Sequence, residues 1–277
     1  MLLFVGIASL SLLMVNLTVK AEAPPISPSI SSDGNLVVFQ SQSDSLVTND
    51  TNGAIDIFVK NRATGTVTRV STDAGGSQAN DMSVKGRLLA DNTNVLFYSD
   101  ASNLVPNDTN SAGDIFIKNL QTGSISRVST DATGDQLVSG IPDANMNVTA
   151  DGRWLVFATS ANGLVAGDSD NQTDVFRKDL QSGTIVRVST DADGLGGDGG
   201  TAYDREGATL TADGRYVGFL SNATNLVSGD NNGQLDLFVK DLQTNTITRA
   251  NTASNGDQTA GSIYSPTLAA DGRYIFF

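Results

Sequence analysis

The chain has no cysteine and no histidine. Without cysteine there is no disulfide framework, no thiolate metal site and no lipoprotein-type attachment site. Without histidine, every Ser-His or Cys-His catalytic arrangement and every histidine-ligated zinc site is excluded. Glutamate is almost missing as well, with 28 Asp against 2 Glu. Asp bonds readily to nearby backbone in turns and caps, whereas Glu suits helix interiors, so this imbalance marks a loop-rich all-β chain. Basic residues are also few: 17 Lys and Arg leave a net charge of −13, and they are spread along the chain rather than clustered. Such a surface repels a phosphate backbone, so nucleic acid is not expected as a partner.

One long apolar run is present, at residues 1–19, with no charge in it, followed by Lys20 and the small-x-small triplet Ala21-Glu22-Ala23. It reads as a signal peptide (1–23) cut after Ala23, or else as an uncleaved anchor just long enough to span a bilayer. Either way the rest of the chain is expected to be exported, to a periplasmic or extracellular location. No membrane span is expected after signal cleavage.

What dominates the sequence is a repeat. Phe39, Phe97, Phe157, Phe219 and Phe277 close five copies of one strand-like phrase, at steps of 58, 60, 62 and 58 residues. In four copies an aspartate follows 17 residues later and opens a second strand: Asp56 in DIFVKN, Asp114 in DIFIKN, Asp174 in DVFRKD and Asp236 in DLFVKD. A period this long, with no helical pattern inside it, means one supersecondary unit copied many times. Each unit divides into four strands. In the first these are about 26–31, 36–41, 55–61 and 66–71. The turn between the first and second strands carries Asp-Gly at Asp33-Gly34, Asp151-Gly152, Asp213-Gly214 and Asp271-Gly272, with Asp91-Asn92 in the second unit. The turn between the third and fourth has Gly65, Gly123, Gly183 or Asn245 at its fixed place. Gly and Asn supply the positive φ that tight hairpins need. The fourth strand carries Arg69, Arg127, Arg187 or Arg249, expected to be a structural charge that blunts an outer sheet edge.

Repeated four-strand antiparallel units suit a radial ring better than a stack, because a ring protects the sheet edges. The phrases SPSISSDGNLVVF and SPTLAADGRYIFF, with DIFVKN and the Thr-rich fourth strand, resemble the TolB-like β-propeller repeats, relatives of the WD-repeat propellers. The resemblance covers nearly all of residues 26–277. It implies an all-β propeller at 24–277, with blades at about 26–73, 79–131, 144–191 and 206–252 and a partial fifth at 264–277. The fifth unit stops after its second strand at Phe277, so a further blade is expected in the native gene product.

The loops joining second to third strands hold a second regularity, D-x-[ND]-x-x-x-D. It comprises Asp50, Asn52 and Asp56; Asp108, Asn110 and Asp114; Asp168, Asp170 and Asp174; and Asp230, Asn232 and Asp236. Three oxygen-bearing side chains in one turn would suit Ca²⁺, although calcium loops also use a distal bidentate acid that this chain hardly has. The same residues would equally serve as Asx-turn formers bonding their own loop amides. Asp204, Arg205 and Glu206, which break the repeat, are the best catalytic candidates in a chain that is otherwise expected not to be an enzyme.

In a propeller the loops after the second and fourth strands share one face, and a rigid scaffold with long loops on one face is where binding residues collect. The expected function is therefore a binding or scaffolding module, calcium-stabilised if the Asp loops take the ion, with a protein or glycan ligand on the long-loop face. Two alternatives remain: a carboxylate-dependent carbohydrate-active enzyme, and the non-catalytic propeller domain of a larger peptidase-like protein.

Overall fold

The structure, a computed structural model, describes residues 28–141, 146–201, 208–259, 263 and 266–277. The apolar leader and the Asp204, Arg205 and Glu206 set lie outside the described residues. Every regular element among those described is a β-strand, and no described helix is long and apolar enough to cross a membrane.

The strands form four four-stranded antiparallel sheets and one two-stranded sheet, each in simple sequence order. The first blade is β1 (Ser29–Ile30), β2 (Leu36–Ser41), β3 (Asp56–Asn61) and β4 (Val67–Arg69). The second is β5 (Ser83–Leu88), β6 (Asn94–Ser99), β7 (Asp114–Asn119) and β8 (Ile125–Arg127). The third is β9 (Met146–Val148), β10 (Trp154–Thr159), β11 (Asp174–Asp179) and β12 (Ile185–Arg187). The fourth is β13 (Thr209–Leu210), β14 (Tyr216–Ser221), β15 (Asp236–Asp241) and β16 (Thr246–Arg249), and β17 (Thr267–Leu268) with β18 (Ile275–Phe276) makes the partial fifth. The all-β propeller expectation, four full blades and part of a fifth, is what the structure shows.

Turn chemistry sets the hairpins. Gly34, Gly152, Gly214 and Gly272 have φ of 68 to 73°, and Asn92, which replaces the glycine in the second blade, has φ of 55°. Both residue types tolerate this left-handed region, so the substitution keeps the turn.

Register then fixes the core. Phe39 lies opposite Phe58, Phe97 opposite Phe116, Phe157 opposite Phe176 and Phe219 opposite Phe238. The ring centroids of these pairs are 5.8 to 6.0 Å apart. Directly opposed residues share a sheet face, so each pair points the same way. Phe97 and Phe116 pack on Val38, Ile57 and Val70 of the first blade. Phe157 and Phe176 meet Leu96, Tyr98 and Ile115 of the second, and Phe219 and Phe238 meet Val156, Ala158 and Val175 of the third. Each blade thus lays its aromatic face on the apolar face of the blade before it. In the first blade Phe58 is buried but Phe39 only half-buried. At the other end Tyr274, Phe276 and Phe277 are 61, 66 and 57% exposed.

The blades are also fastened by buried lysines. The Lys118 ammonium donates to the carbonyls of Thr72 and Asp73 at 3.0 and 2.6 Å. Lys178 does the same to Thr130 and Asp131, and Lys240 to Thr190 and Asp191. In each case the lysine sits at the far end of a third strand and the carbonyls belong to the loop leaving the preceding blade. Burial pushes the pKa of all three ammonium groups down. Lys60, their counterpart in the first blade, is exposed. The second blade departs from the others with a bulge between Val84 and Arg87, where Gly86 lies so close to Val38 and Ile57 that a Cβ would sit 2.8 to 2.9 Å from their methyl groups.

Two measurements check this packing. Phe176→Ala should cost about 3 to 5 kcal/mol in equilibrium unfolding, and Phe39→Ala clearly less, because Phe39 has packing on one side only. Asp241 has its pKa held low chiefly by the Arg215 guanidinium, which hydrogen-bonds it at 2.6 and 2.9 Å. A carboxyl lowered in the folded state contributes stability above its unfolded pKa and loses it as pH falls toward the folded value. Asp241→Asn should therefore flatten the loss of stability below pH of about 4, read as melting temperature against pH.

Candidate functional site

The register that aligns the phenylalanines also places the fourth-strand arginines. Arg69 lies opposite Phe58, Arg127 opposite Phe116, Arg187 opposite Phe176 and Arg249 opposite Phe238. Asp56, two residues before Phe58 on the same strand, shares that face, and so do its counterparts. The arginines are therefore not edge charges in solvent. Their side chains are only 6 to 9% exposed and turn into the Asp loops. They are structural, but the edge-blunting reason is replaced by a buried ion pair.

In the first blade the Arg69 guanidinium lies 3.4 Å from Asp50 and 3.7 Å from Asp56. The Ser71 hydroxyl donates to Asp56 at 2.5 Å. Gln78 completes the group by donating to Asp50 at 2.7 Å and to Asp56 at 3.1 Å, while its carbonyl oxygen accepts from Thr51. The second blade repeats this. Arg127 is 3.2 Å from Asp108 and 3.1 Å from Asp114, Ser129 donates to Asp114, and Gln136 donates to Asp108 and Asp114. Gln78 and Gln136 come from the loop that leaves the blade, 28 residues after the first Asp of the motif. That fixed spacing was the available signal for a member of the site that motif reading alone passes over. Because the Gln comes from one loop and the aspartates from another, the network ties both loop sets together on one face.

The middle residue of each motif plays the same local part. Asn52, Asn110, Asp170 and Asn232 each accept from the amide two residues ahead, in Ala54, Ala112, Gln172 and Gln234. Asn52 and Asn110 also donate to the carbonyls of Ala79 and Leu137. These are Asx-turns.

The fourth blade is looser. Arg249 is 3.3 Å from Asp230 and 3.9 Å from Asp236, Asn251 takes the serine's place on Asp236, and Gln258 donates to the Gly229 carbonyl instead of to the aspartates. In the third blade glycine replaces the glutamine at Gly196. Arg187 fills that space and bonds Asp170 at 3.0 Å and Asp174 at 2.6 Å. Suitable oxygens of Asp168, Asp170 and Asp174 lie within 4.8 Å of one another, the only such acidic group among the described residues.

Burial governs the electrostatics. It pushes the carboxyls of Asp56, Asp114 and Asp174 above the ordinary range, against the opposing pull of the serine hydroxyls and the arginines. It likewise raises Asp168 and Asp230. At Asp170 burial is outweighed by the Gln172 amide and Arg187, and the pKa is lowered.

The topology and this geometry can be set beside known structures. An oligogalacturonate lyase from Vibrio parahaemolyticus matches at a TM-score of 0.53 and 10% identity, over 91% of this chain and 61% of its own. A second oligogalacturonate lyase structure, in complex with manganese, matches at 0.52 and 14%, over the same shares. TolB from Acinetobacter baumannii matches at 0.48 and 17%, over 91% of this chain and 48% of its own. The fold is a β-propeller of four-stranded antiparallel blades. The chain spans about half the length of that TolB chain. No family model matches the sequence, and no curated protein does.

Removing one partner from a buried ion pair leaves the other charge stranded, which typically costs about 3 to 5 kcal/mol. Arg127→Met, which strands Asp108 and Asp114, should therefore lower stability far more than Gln136→Ala in denaturant unfolding. Equal small losses would show that the guanidinium does not organise the loops.

Proposed function

We propose that the chain is an exported, non-catalytic binding or scaffolding module that uses its long-loop face. The observation that carries this reading is where the repeat breaks. Val138 and Leu195 lie on that face, 78 and 65% exposed. The matching residues are polar or small: Asn80, Asp198 and Ala260 for Val138, and Ser77, Asp135 and Asp257 for Leu195. Repeated blades with a buried polar network beneath them present these differing side chains from a common scaffold, which is how a rigid scaffold offers a recognition surface.

A catalytic role finds less support. In the first two blades the loop aspartates are occupied by arginine, glutamine and serine, which suits anchoring better than proton transfer to a substrate. Nor does the reading need a metal in the first two blades, where a guanidinium already supplies the positive charge. Export rests on the apolar leader, and the ligand class proposed is a protein or a glycan.

The test is a paired binding experiment. The chain and its Val138→Asp, Leu195→Asp double variant would be presented to a glycan array and to exported proteins of the source cell. The expected outcome is a ligand retained by the wild type and lost by the double variant at unchanged melting temperature. Turnover of a polysaccharide by the purified chain would overturn the non-catalytic reading.

A further inference from the structure

The third-blade loop differs from its three counterparts in a way that turn formation does not account for. It has three carboxylates where the others have two, because Asp170 stands where Asn52, Asn110 and Asn232 do. It has lost the amide donor that serves the first aspartate in the first two blades, because Gly196 stands where Gln78 and Gln136 do. The arginine has moved too. A Cβ on Gly196 would fall 2.5 to 2.7 Å from the Arg187 guanidinium, so the guanidinium lies in the space the glutamine would fill. From there it pairs with Asp170 and Asp174, whereas Arg69, Arg127 and Arg249 each reach the first aspartate of their own loop.

Asp168 has no glutamine amide and no direct arginine pair; the Leu164 and Gly163 amides and the more distant Arg187 charge are what oppose its burial. It is 5% exposed, and its Oδ2 has no hydrogen-bond partner. An orphaned buried carboxylate oxygen is costly, and a native structure holds one where something else satisfies it. The oxygen belongs to a group of three carboxylates whose ligand oxygens lie within 4.8 Å of one another, so small side-chain rotations bring them onto one ion at about 2.4 Å. Asp170 gives the group an opening to solvent, its side chain being 39% exposed. Three carboxylates against one guanidinium leave an excess of negative charge that one divalent cation balances.

We propose that this loop is a single hard-cation site, holding one Ca²⁺ per chain through Asp168, Asp170 and Asp174. The remaining coordination positions go to carbonyls and water, which the larger and more flexible shell of Ca²⁺ accepts more readily than Mg²⁺ does. The first two blades are the internal contrast, because there arginine and glutamine do together what the ion does in the third. The site is independent of the binding role proposed above, and either can fail without the other.

The experiment is calorimetric titration of CaCl₂ into the chelator-treated full chain, with melting temperature followed alongside. Wild type is expected to take up close to one Ca²⁺ per chain and to melt higher as calcium rises. Asp168→Asn should abolish the binding heat and melt no lower than wild type without calcium, since burial already disfavours its charge. Asp170→Asn, which restores the residue type of the other blades on a half-exposed side chain, should weaken binding at least about tenfold, as loss of one charged ligand does. Asp50→Asn should bind as wild type. Absence of binding at millimolar calcium overturns the proposal. So does a stoichiometry near four, or an equal loss in Asp50→Asn, either of which would spread the site over all the loops.

Discussion

A buried guanidinium between two buried carboxylates is the contact on which the architecture of the first two blades turns. Arg69 with Asp50 and Asp56, or Arg127 with Asp108 and Asp114, joins an outer strand, the start of an inner strand and a loop in one place. None of the charges could be buried alone, because removing a carboxylate or guanidinium from water costs several kcal/mol. The geometry therefore demands all of them together. That demand explains why serine and glutamine are drawn in as further donors in the first two blades.

The apolar half of each interface depends on the same register. A strand whose Asp, Phe and Lys recur at every second residue turns all three toward the preceding blade. The aspartate meets its own arginine, the phenylalanine meets the aliphatic face of the neighbour, and the lysine reaches the neighbour's loop carbonyls. A slip of one residue would send every one of these groups to the wrong side.

Much of this was legible in the residues. Asp-Gly and Asp91-Asn92 announced the first hairpin, and the structure gives them the expected positive φ at Gly34 and Asn92. The recurring Phe39 position and the DIFVKN phrase 17 residues on announced the two inner strands, and the structure pairs the Phe39 ring with that of Phe58. The arginines were harder. A charge on the outermost strand reads as a solvent-facing edge residue, and only the hairpin register shows that Arg69 lies opposite Phe58 and so faces inward. Gln78 was harder still, since it belongs to another loop and its 28-residue distance from Asp50 has meaning only once the blade is folded. The reverse holds for Gly196, where the telling feature is a missing side chain whose room Arg187 has taken.

The lysine contacts give the ring a direction. Each of Lys118, Lys178 and Lys240 fastens its own blade to the one before it and does nothing for the one after. The blades are thus laid like roof tiles, each overlapping its predecessor, and the fastening of any blade presupposes that an earlier loop is already in place. In a chain that emerges from its amino terminus, the carbonyls of each such contact precede in sequence the lysine that binds them.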